Sequence, residues 1–167
     1  MSKTVFLFSG QGSQYVGMGR ELSEAYPDVK VYEKASEILG FDLSEKISSS
    51  SEEELAKTVI AQPAIMATSL TAFEIMKQEG IEFSAVAGHS LGEYAAMVAA
   101  GILSFEDGFK VIKARAEAMQ KAAEAASGAM YAIIGKTAEE IEAVCAETDG
   151  YVVPVNYNST AQTVIAG

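Results

Sequence analysis

The sequence predicts an α/β fold built on a parallel sheet, because two short apolar runs are separated and followed by helical patterns. The first run, residues 4–8, is an unbroken Thr-Val-Phe-Leu-Phe, which is typical of a strand buried on both faces. The second run, residues 83–87, combines small and apolar residues. Strands that alternate with helices along a chain commonly pair in parallel, so both runs are predicted to lie in one sheet.

Helical segments fill most of the first part of the chain, and several of their ends carry specific signals. Gly40 suits the residue after a helix, and Ser51 suits the N-cap of a short helix that starts with three glutamates. The serine run 48–51 is predicted to be a loop, and Pro63 is predicted to lie in the first turn of a long helix. The longer helices are predicted at about 17–26, 29–39, 62–78, 91–100 and 104–126.

A second, smaller part is predicted to begin at Ser127-Gly128. Its elements are a strand at 129–135, a helix from a Thr-x-x-Glu capping box at 137 to about 148, and strands at 151–157 and 162–166. This β-α-β-β order is the opening of a ferredoxin-like βαββαβ unit. We therefore expect two domains, 1–126 and 127–167, and the second lacks the last helix and strand of such a unit.

Charge and composition exclude several classes of function. The net charge is −11, from 23 acidic and 12 basic residues, and such a surface repels nucleic-acid phosphates. The chain shows neither a secretion signal nor a membrane-spanning pattern. Cys145 is the single cysteine, which fits a reducing cytoplasm, and with one histidine a protein-built metal site is not expected.

Residues 88–92, Gly-His-Ser-Leu-Gly, match the G-x-S-x-G pattern of a nucleophile elbow. An apolar strand precedes them and an alanine-rich helix follows, which is the context that this motif requires. The two glycines allow strand and helix to cross closely, with Ser90 at a strained turn beside a helix N-terminus that favours negative charge. The alternative is a turn serine without chemistry. Adjacent residues at such a turn point apart, so His89 is predicted to be structural and not the base for Ser90.

Two further features have alternative readings from the residues alone. Residues 9–14, Ser-Gly-Gln-Gly-Ser-Gln, follow the first strand and are either a plain strand-to-helix turn or a weak phosphate cradle. They lack the G-x-G-x-x-G spacing of a dinucleotide site. Arg115 lies in the middle of a predicted helix, where a solvated surface arginine is the ordinary interpretation.

Several motifs together resemble the malonyl-CoA:acyl-carrier-protein transacylase family, and more broadly the acyltransferase domains of fatty-acid and polyketide synthases. They are Phe-Ser-Gly-Gln-Gly-Ser-Gln at 8–14, Gly-Met-Gly at 17–19, Gln-Pro-Ala at 62–64, Gly-His-Ser-Leu-Gly-Glu-Tyr at 88–94, Arg115 with Met119-Gln120, and Val-Asn-Tyr-Asn-Ser at 155–159. The likeness covers the whole chain, which corresponds to about the N-terminal half of such an enzyme.

This resemblance implies a fold and an activity. Residues 1–126 would be an incomplete α/β-hydrolase-like subdomain, and residues 127–167 the start of an inserted ferredoxin-like subdomain. The activity would be transfer of a malonyl group from malonyl-CoA to the phosphopantetheine thiol of acyl carrier protein in cytoplasmic fatty-acid biosynthesis. Malonyl-CoA and acyl carrier protein would be the partners, with no cofactor, nucleic acid or membrane involved.

The resemblance also assigns roles to individual residues. Ser90 would be the nucleophile that forms a malonyl-serine intermediate, and the backbone N–H groups of Leu91 and Gln11 would form the oxyanion hole. Arg115 would bind the malonyl carboxylate through two parallel hydrogen bonds.

Weaker assignments concern the acyl pocket. Gln62 and Met119 would line it, although core packing explains them equally well, and Asn158 would lie near the substrate mouth.

The general base in this family is a histidine beyond residue 167. We therefore expect either a second chain that supplies the missing half or self-association. Two alternatives to the transferase remain: a non-catalytic half-domain that binds acyl-CoA or carrier protein, and a serine acyl-hydrolase, in which water accepts the acyl group.

Overall fold

A computed structural model describes residues 4–125 and 128–167, which belong to two compact units. The first unit extends to Lys121 and the second runs from Ala122 to Gly167. The predicted domain boundary, between residues 126 and 127, lies outside the described residues. Helices and strands alternate along the chain, so the predicted α/β class is confirmed.

The first unit combines a two-stranded parallel sheet with helices. Its elements are β1 (Val5–Phe8), α1 (Arg20–Ala25), α2 (Val31–Leu39), α3 (Leu43–Ser49), α4 (Glu52–Leu55), α5 (Thr58–Gln78), β2 (Ala85–Gly88), α6 (Gly92–Ala99) and α7 (Phe105–Ala125), of which the last four residues belong to the second unit. β1 pairs with β2 in parallel register, from Val5 opposite Ala85 to Phe8 opposite Gly88. The ends of both strands therefore lie side by side.

Helix α5 is the core of the first unit. Its apolar residues are buried around most of its circumference, and Phe73 contacts the rings of Phe6, Phe8 and Phe83. By length and composition alone α5 could span a membrane, but 67% of the relevant window is buried inside the fold. The buried core helix of a globular unit has the same composition, and that is the role α5 has here.

The prediction that β1 is buried on both faces is wrong. Phe6 and Phe8 face α5, but Val5 is 48% exposed and Leu7 is 79% exposed. In the described part of the chain β1 pairs only with β2, and one face of this narrow sheet is open.

Two predicted helix starts are also corrected. α1 begins at Arg20, three residues later than predicted, because Gly17 and Gly19 have φ angles of 80° and 75°. These left-handed conformations are incompatible with a right-handed helix. α5 begins at Thr58, four residues earlier than predicted, so Pro63 lies beyond the first turn.

The serine run 48–51 is not a loop throughout. Ser48 and Ser49 form the end of α3, a helix that the sequence did not predict. The Asp42 side chain caps α3 by accepting a hydrogen bond from the Glu45 N–H at 2.9 Å. Ser51 is the N-cap of α4, as predicted, because its hydroxyl accepts from the N–H of Glu54.

The second unit has the predicted β-α-β-β order. Its elements are β3 (Met130–Ile134), α8 (Ala138–Glu147), β4 (Val153–Ser159) and β5 (Gln162–Ala166), and β5 lies between β3 and β4 and is antiparallel to both. The capping box of α8, between Thr137 and Glu140, is confirmed. β4 continues two residues further than predicted, which leaves a tight turn at Thr160-Ala161.

Candidate active site

Ser90 lies in the sharp turn between β2 and α6, as the G-x-S-x-G pattern predicts. Its φ is 54°, and it is the only non-glycine residue with a positive φ in the described part of the chain. A β-substituted residue adopts this conformation only when its surroundings impose it, and such strain concentrates at functional sites. The turn leaves Ser90 exposed at the edge of the sheet, directly before the N-terminus of α6.

The two glycines of the motif are required by close backbone contacts. A Cβ atom at Gly88 would lie 2.1 Å from the carbonyl carbon of Gly92. One at Gly92 would lie 2.2 Å from the carbonyl oxygen of Phe8. β1, β2 and α6 therefore meet within a space that admits no side chain, and this contact fixes the position of Ser90.

A chain of hydrogen bonds joins four residues around Ser90. Arg115, on α7, donates from Nη2 to Ser90 Oγ at 3.1 Å and from Nη1 to Gln62 Oε1 at 2.6 Å. Gln62, on α5, is fully buried and donates from Nε2 to Met119 Sδ at 3.3 Å. Helices α5 and α7 and the turn before α6 thus bring the predicted residues Ser90, Arg115, Gln62 and Met119 together.

The guanidinium of Arg115 is surrounded by neutral groups. Its Cζ lies 5.6 Å from the ring centroid of Tyr94, a residue of α6 that sequence reasoning missed. No carboxylate of the described residues forms an ion pair with Arg115. The positive charge is therefore uncompensated and available to an anionic group beside Ser90. Tyr94 is the last residue of the Gly-His-Ser-Leu-Gly-Glu-Tyr motif at 88–94, and its place in that motif was the available signal.

The predicted oxyanion-hole donors lie in two different turns. Leu91 is the N-cap residue of α6, and Gln11 belongs to the loop after β1. Within the described residues neither backbone N–H donates a hydrogen bond to the protein; Gln11 is exposed, whereas Leu91 is fully buried. The Gln11 side chain donates to Thr58 Oγ1 at 3.3 Å, which links this loop to the start of α5.

His89 makes its contacts with the β1 loop. Its backbone N–H donates to the Phe8 carbonyl, and its Nδ1 lies 2.6 Å from where a Cβ of Gly10 would be. No hydrogen bond joins His89 to the Ser90 hydroxyl in the described ranges. The imidazole therefore packs against a neighbouring turn, and it does not activate the serine in this arrangement.

Asn158 belongs to the second unit. It lies at an irregularity of β4, where the register with β5 shifts between Tyr157 and Ser159. Its Nδ2 donates to Gln162 Oε1 at 2.9 Å. Residues 4–125 and 128–167 contain no cluster of three His, Cys, Asp or Glu side chains that could hold a metal ion.

Residues 5–167 match the family model described as acyl transferase domain. The chain belongs to the acyl transferase domain family. The resemblance stated from the motifs is thereby confirmed, and curated relatives agree with it. The malonyl CoA-acyl carrier protein transacylase of Bacillus subtilis strain 168 is 46% identical over all of this chain and 54% of its own length. The protein of the same name from Escherichia coli K12 is 43% identical, with 55% of its length covered.

Solved structures of malonyltransferases also match nearly all of this acyl transferase chain. An acyl carrier protein S-malonyltransferase from Vibrio cholerae has a TM-score of 0.89 at 45% identity, with 99% of this chain and 56% of that one covered. The transacylase from Coxiella burnetii has a TM-score of 0.92 at 41% identity, with 99% and 54% covered. The chain thus spans about half the length of the relatives it matches.

Proposed function

We propose that this chain carries the nucleophile and the acyl-binding residues of a malonyltransferase, which moves malonyl from coenzyme A to the phosphopantetheine thiol of acyl carrier protein. The observation that carries the proposal is the Arg115 guanidinium, which donates to Ser90 Oγ at 3.1 Å and has no carboxylate partner among the described residues. An uncompensated cation beside a nucleophile is suited to an acyl group that bears its own carboxylate.

The short distance between Arg115 and Ser90 favours a small diacid. In a malonyl thioester only two C–C bonds, each about 1.5 Å long, separate the carboxylate carbon from the carbon that the serine attacks. Both ends of malonyl therefore fit within reach of one hydroxyl and one guanidinium. An acetyl group offers no anion, so it gains nothing from Arg115.

The reaction has two acyl exchanges. Ser90 Oγ attacks the thioester carbonyl, and the tetrahedral oxyanion is held by the N–H groups of Leu91 and Gln11. The C–S bond then breaks, coenzyme A leaves as its thiol, and malonyl-Ser90 remains. The thiol of acyl carrier protein attacks this ester, and the Ser90 oxygen takes back a proton as the new thioester leaves.

Each exchange needs a general base to move the Ser90 proton. His89 is the only histidine of the sequence, and its packing against the β1 loop is unsuited to that task. We propose that the base is a histidine outside these 167 residues, in line with the greater length of the relatives.

The partner follows from the same reasoning. One similar solved structure, with a TM-score of 0.90 at 41% identity, is described as a type II PKS acyl-carrier protein in complex with its malonyl-transacylase. We propose an acyl carrier protein as the acceptor here as well, in the cytoplasm and without a cofactor.

The order β3-β5-β4 supports a ferredoxin-like second subdomain, and the β2–elbow–α6 connection supports an α/β-hydrolase-like first one. Asn158 remains a proposed residue of the substrate mouth.

Mass spectrometry tests this proposal after the chain, together with the segment that supplies the base, has been exposed to malonyl-CoA. The expected result is a malonyl adduct that maps to Ser90, and its absence from a Ser90→Ala variant is the control. Addition of a carrier protein with a free phosphopantetheine thiol should remove the adduct and acylate the carrier. Binding of malonyl-CoA without an adduct would contradict transfer and indicate a non-catalytic half-domain. Steady release of free malonate would instead indicate a hydrolase.

A further inference from the structure

Tyr94 is the one aromatic side chain whose face covers the Arg115 guanidinium in the described part of the chain. The guanidinium carbon lies 5.6 Å from the ring centroid, within the range at which a cation is attracted to an aromatic face. Tyr94 is half-buried on α6, the helix that begins two residues after Ser90. The same backbone turn therefore positions the nucleophile and this ring.

Three neutral groups define the position of the guanidinium. Gln62 Oε1 and Ser90 Oγ accept its hydrogen bonds at 2.6 and 3.1 Å, and the Tyr94 ring contacts it without forming a hydrogen bond. Gln62 is fully buried and has both amide atoms engaged, so it is a fixed acceptor. Ser90 is exposed and must give up its hydrogen bond when it is acylated. The contacts with Gln62 and Tyr94 remain, and of these two residues only Tyr94 lies on α6.

We propose that Tyr94 is a positioning residue that selects carboxylated acyl groups, because its ring holds the Arg115 guanidinium in place while Ser90 changes partners. This inference rests on the proposed function. A neutral ring supplies this support without neutralising the charge, whereas a carboxylate would compete with the substrate for it. The Tyr94 hydroxyl forms no hydrogen bond to the described residues, so the ring face is the feature that matters.

Equilibrium binding in a Ser90→Ala background tests the inference without turnover. The measured quantity is the ratio of the dissociation constants of acetyl-CoA and malonyl-CoA, determined by titration calorimetry. Tyr94→Leu should reduce this ratio by about three- to thirtyfold, mainly through weaker malonyl-CoA binding. Tyr94→Phe, which keeps the ring, should restore the ratio. A general structural defect would weaken both ligands equally.

A second series remains informative if Tyr94→Leu does not fold. Phenylalanine analogues with increasing numbers of fluorine atoms at position 94 keep the ring shape but remove electron density from its face. The ratio should fall stepwise along this series, and an unchanged ratio would overturn the inference. A parent that shows no preference for malonyl-CoA would contradict the proposed function itself. A parent preference that Tyr94→Leu leaves intact would contradict only the role of Tyr94.

Discussion

The close packing of the elbow makes Gly88→Ala a severe test of the architecture. The added Cβ would meet three backbone atoms, the C and O of Gly92 and the N of Glu93, at 2.1, 2.2 and 2.3 Å. Backbone atoms cannot relieve the clash by changing rotamer, so β2 and α6 must separate. An increase from 2.1 Å to the 3.4 Å of ordinary contact requires a movement of about 1.3 Å.

This movement affects both stability and activity. Overpacking typically costs 1–3 kcal/mol, and a clash with three backbone atoms should reach about 3 kcal/mol. For a chain of this length that loss lowers the melting temperature by about 10 °C. Because Ser90 and Leu91 lie between the separated elements, a displacement of about 1 Å should also slow acylation of Ser90 by about a hundredfold.

Thermal unfolding followed by circular dichroism is the first assay, with Gly108→Ala as the matched control. A Cβ at Gly108 would meet the Cγ2 of Val98 at 2.5 Å and the Cε of Met66 at 3.0 Å, which are side-chain and not backbone atoms. Alanine also gains about 1 kcal/mol over glycine inside a helix, so the control should lose less melting temperature than Gly88→Ala. If Gly88→Ala melts within about 3 °C of the parent, the argument from close packing is refuted.

Three further predictions concern the acyl-binding residues and the second unit. Arg115→Lys replaces a two-pronged donor with a point charge and should lower the malonyl-over-acetyl preference about tenfold, measured as a ratio of kcat/KM values; equal preference in mutant and parent would contradict the carboxylate role. Gln62→Glu places a protein carboxylate against Arg115, where it competes with the malonyl carboxylate. Malonyl-CoA binding should weaken about tenfold in calorimetry, while acetyl-CoA binding changes little; equal losses for both ligands would contradict this. The pKa of Glu140 is lowered by the side-chain hydrogen bond from Lys136 and by the hydrogen bond from the backbone N–H of Thr137. The ionised Glu140 carboxylate therefore stabilises the fold at pH values above the ordinary glutamate pKa, and this stabilisation is lost as the pH falls through the lowered pKa. Glu140→Gln should therefore reduce the loss of melting temperature on acidification, and an identical pH profile would count against this pairing.

The elbow could be predicted from the sequence because its physical requirements are local. A residue forced into positive φ between a strand and a helix needs close neighbours without side chains, and Gly88 and Gly92 meet this requirement. The caps at Ser51 and Thr137 are local in the same way, since each bonds to a backbone N–H three residues later. Such features depend on a few consecutive residues and on nothing distant.

The surroundings of Ser90 depend on contacts between distant residues, which no local pattern encodes. Arg115 meets Gln62 across 53 positions, and Gln62 meets Met119 across 57. From the residues alone, a surface position was the favoured interpretation of Arg115, and core packing explained Gln62 and Met119 as well as the acyl pocket did. Only the resemblance favoured the site. The exposure of Leu7 was missed for the same reason, because the residues of a strand do not determine how many neighbouring strands and helices cover it.

The parallel pairing of β1 with β2 has a consequence for how the molecule folds. The Ser84 hydroxyl donates to the Thr4 carbonyl, a contact between residues 80 positions apart, and α1 to α5 lie in the intervening loop. Closing so long a loop is entropically costly, and contacts of this kind slow folding. We expect the helices of this loop to assemble before the two strands meet. The strained turn at Ser90 would then form late, when the completed helical scaffold can hold it.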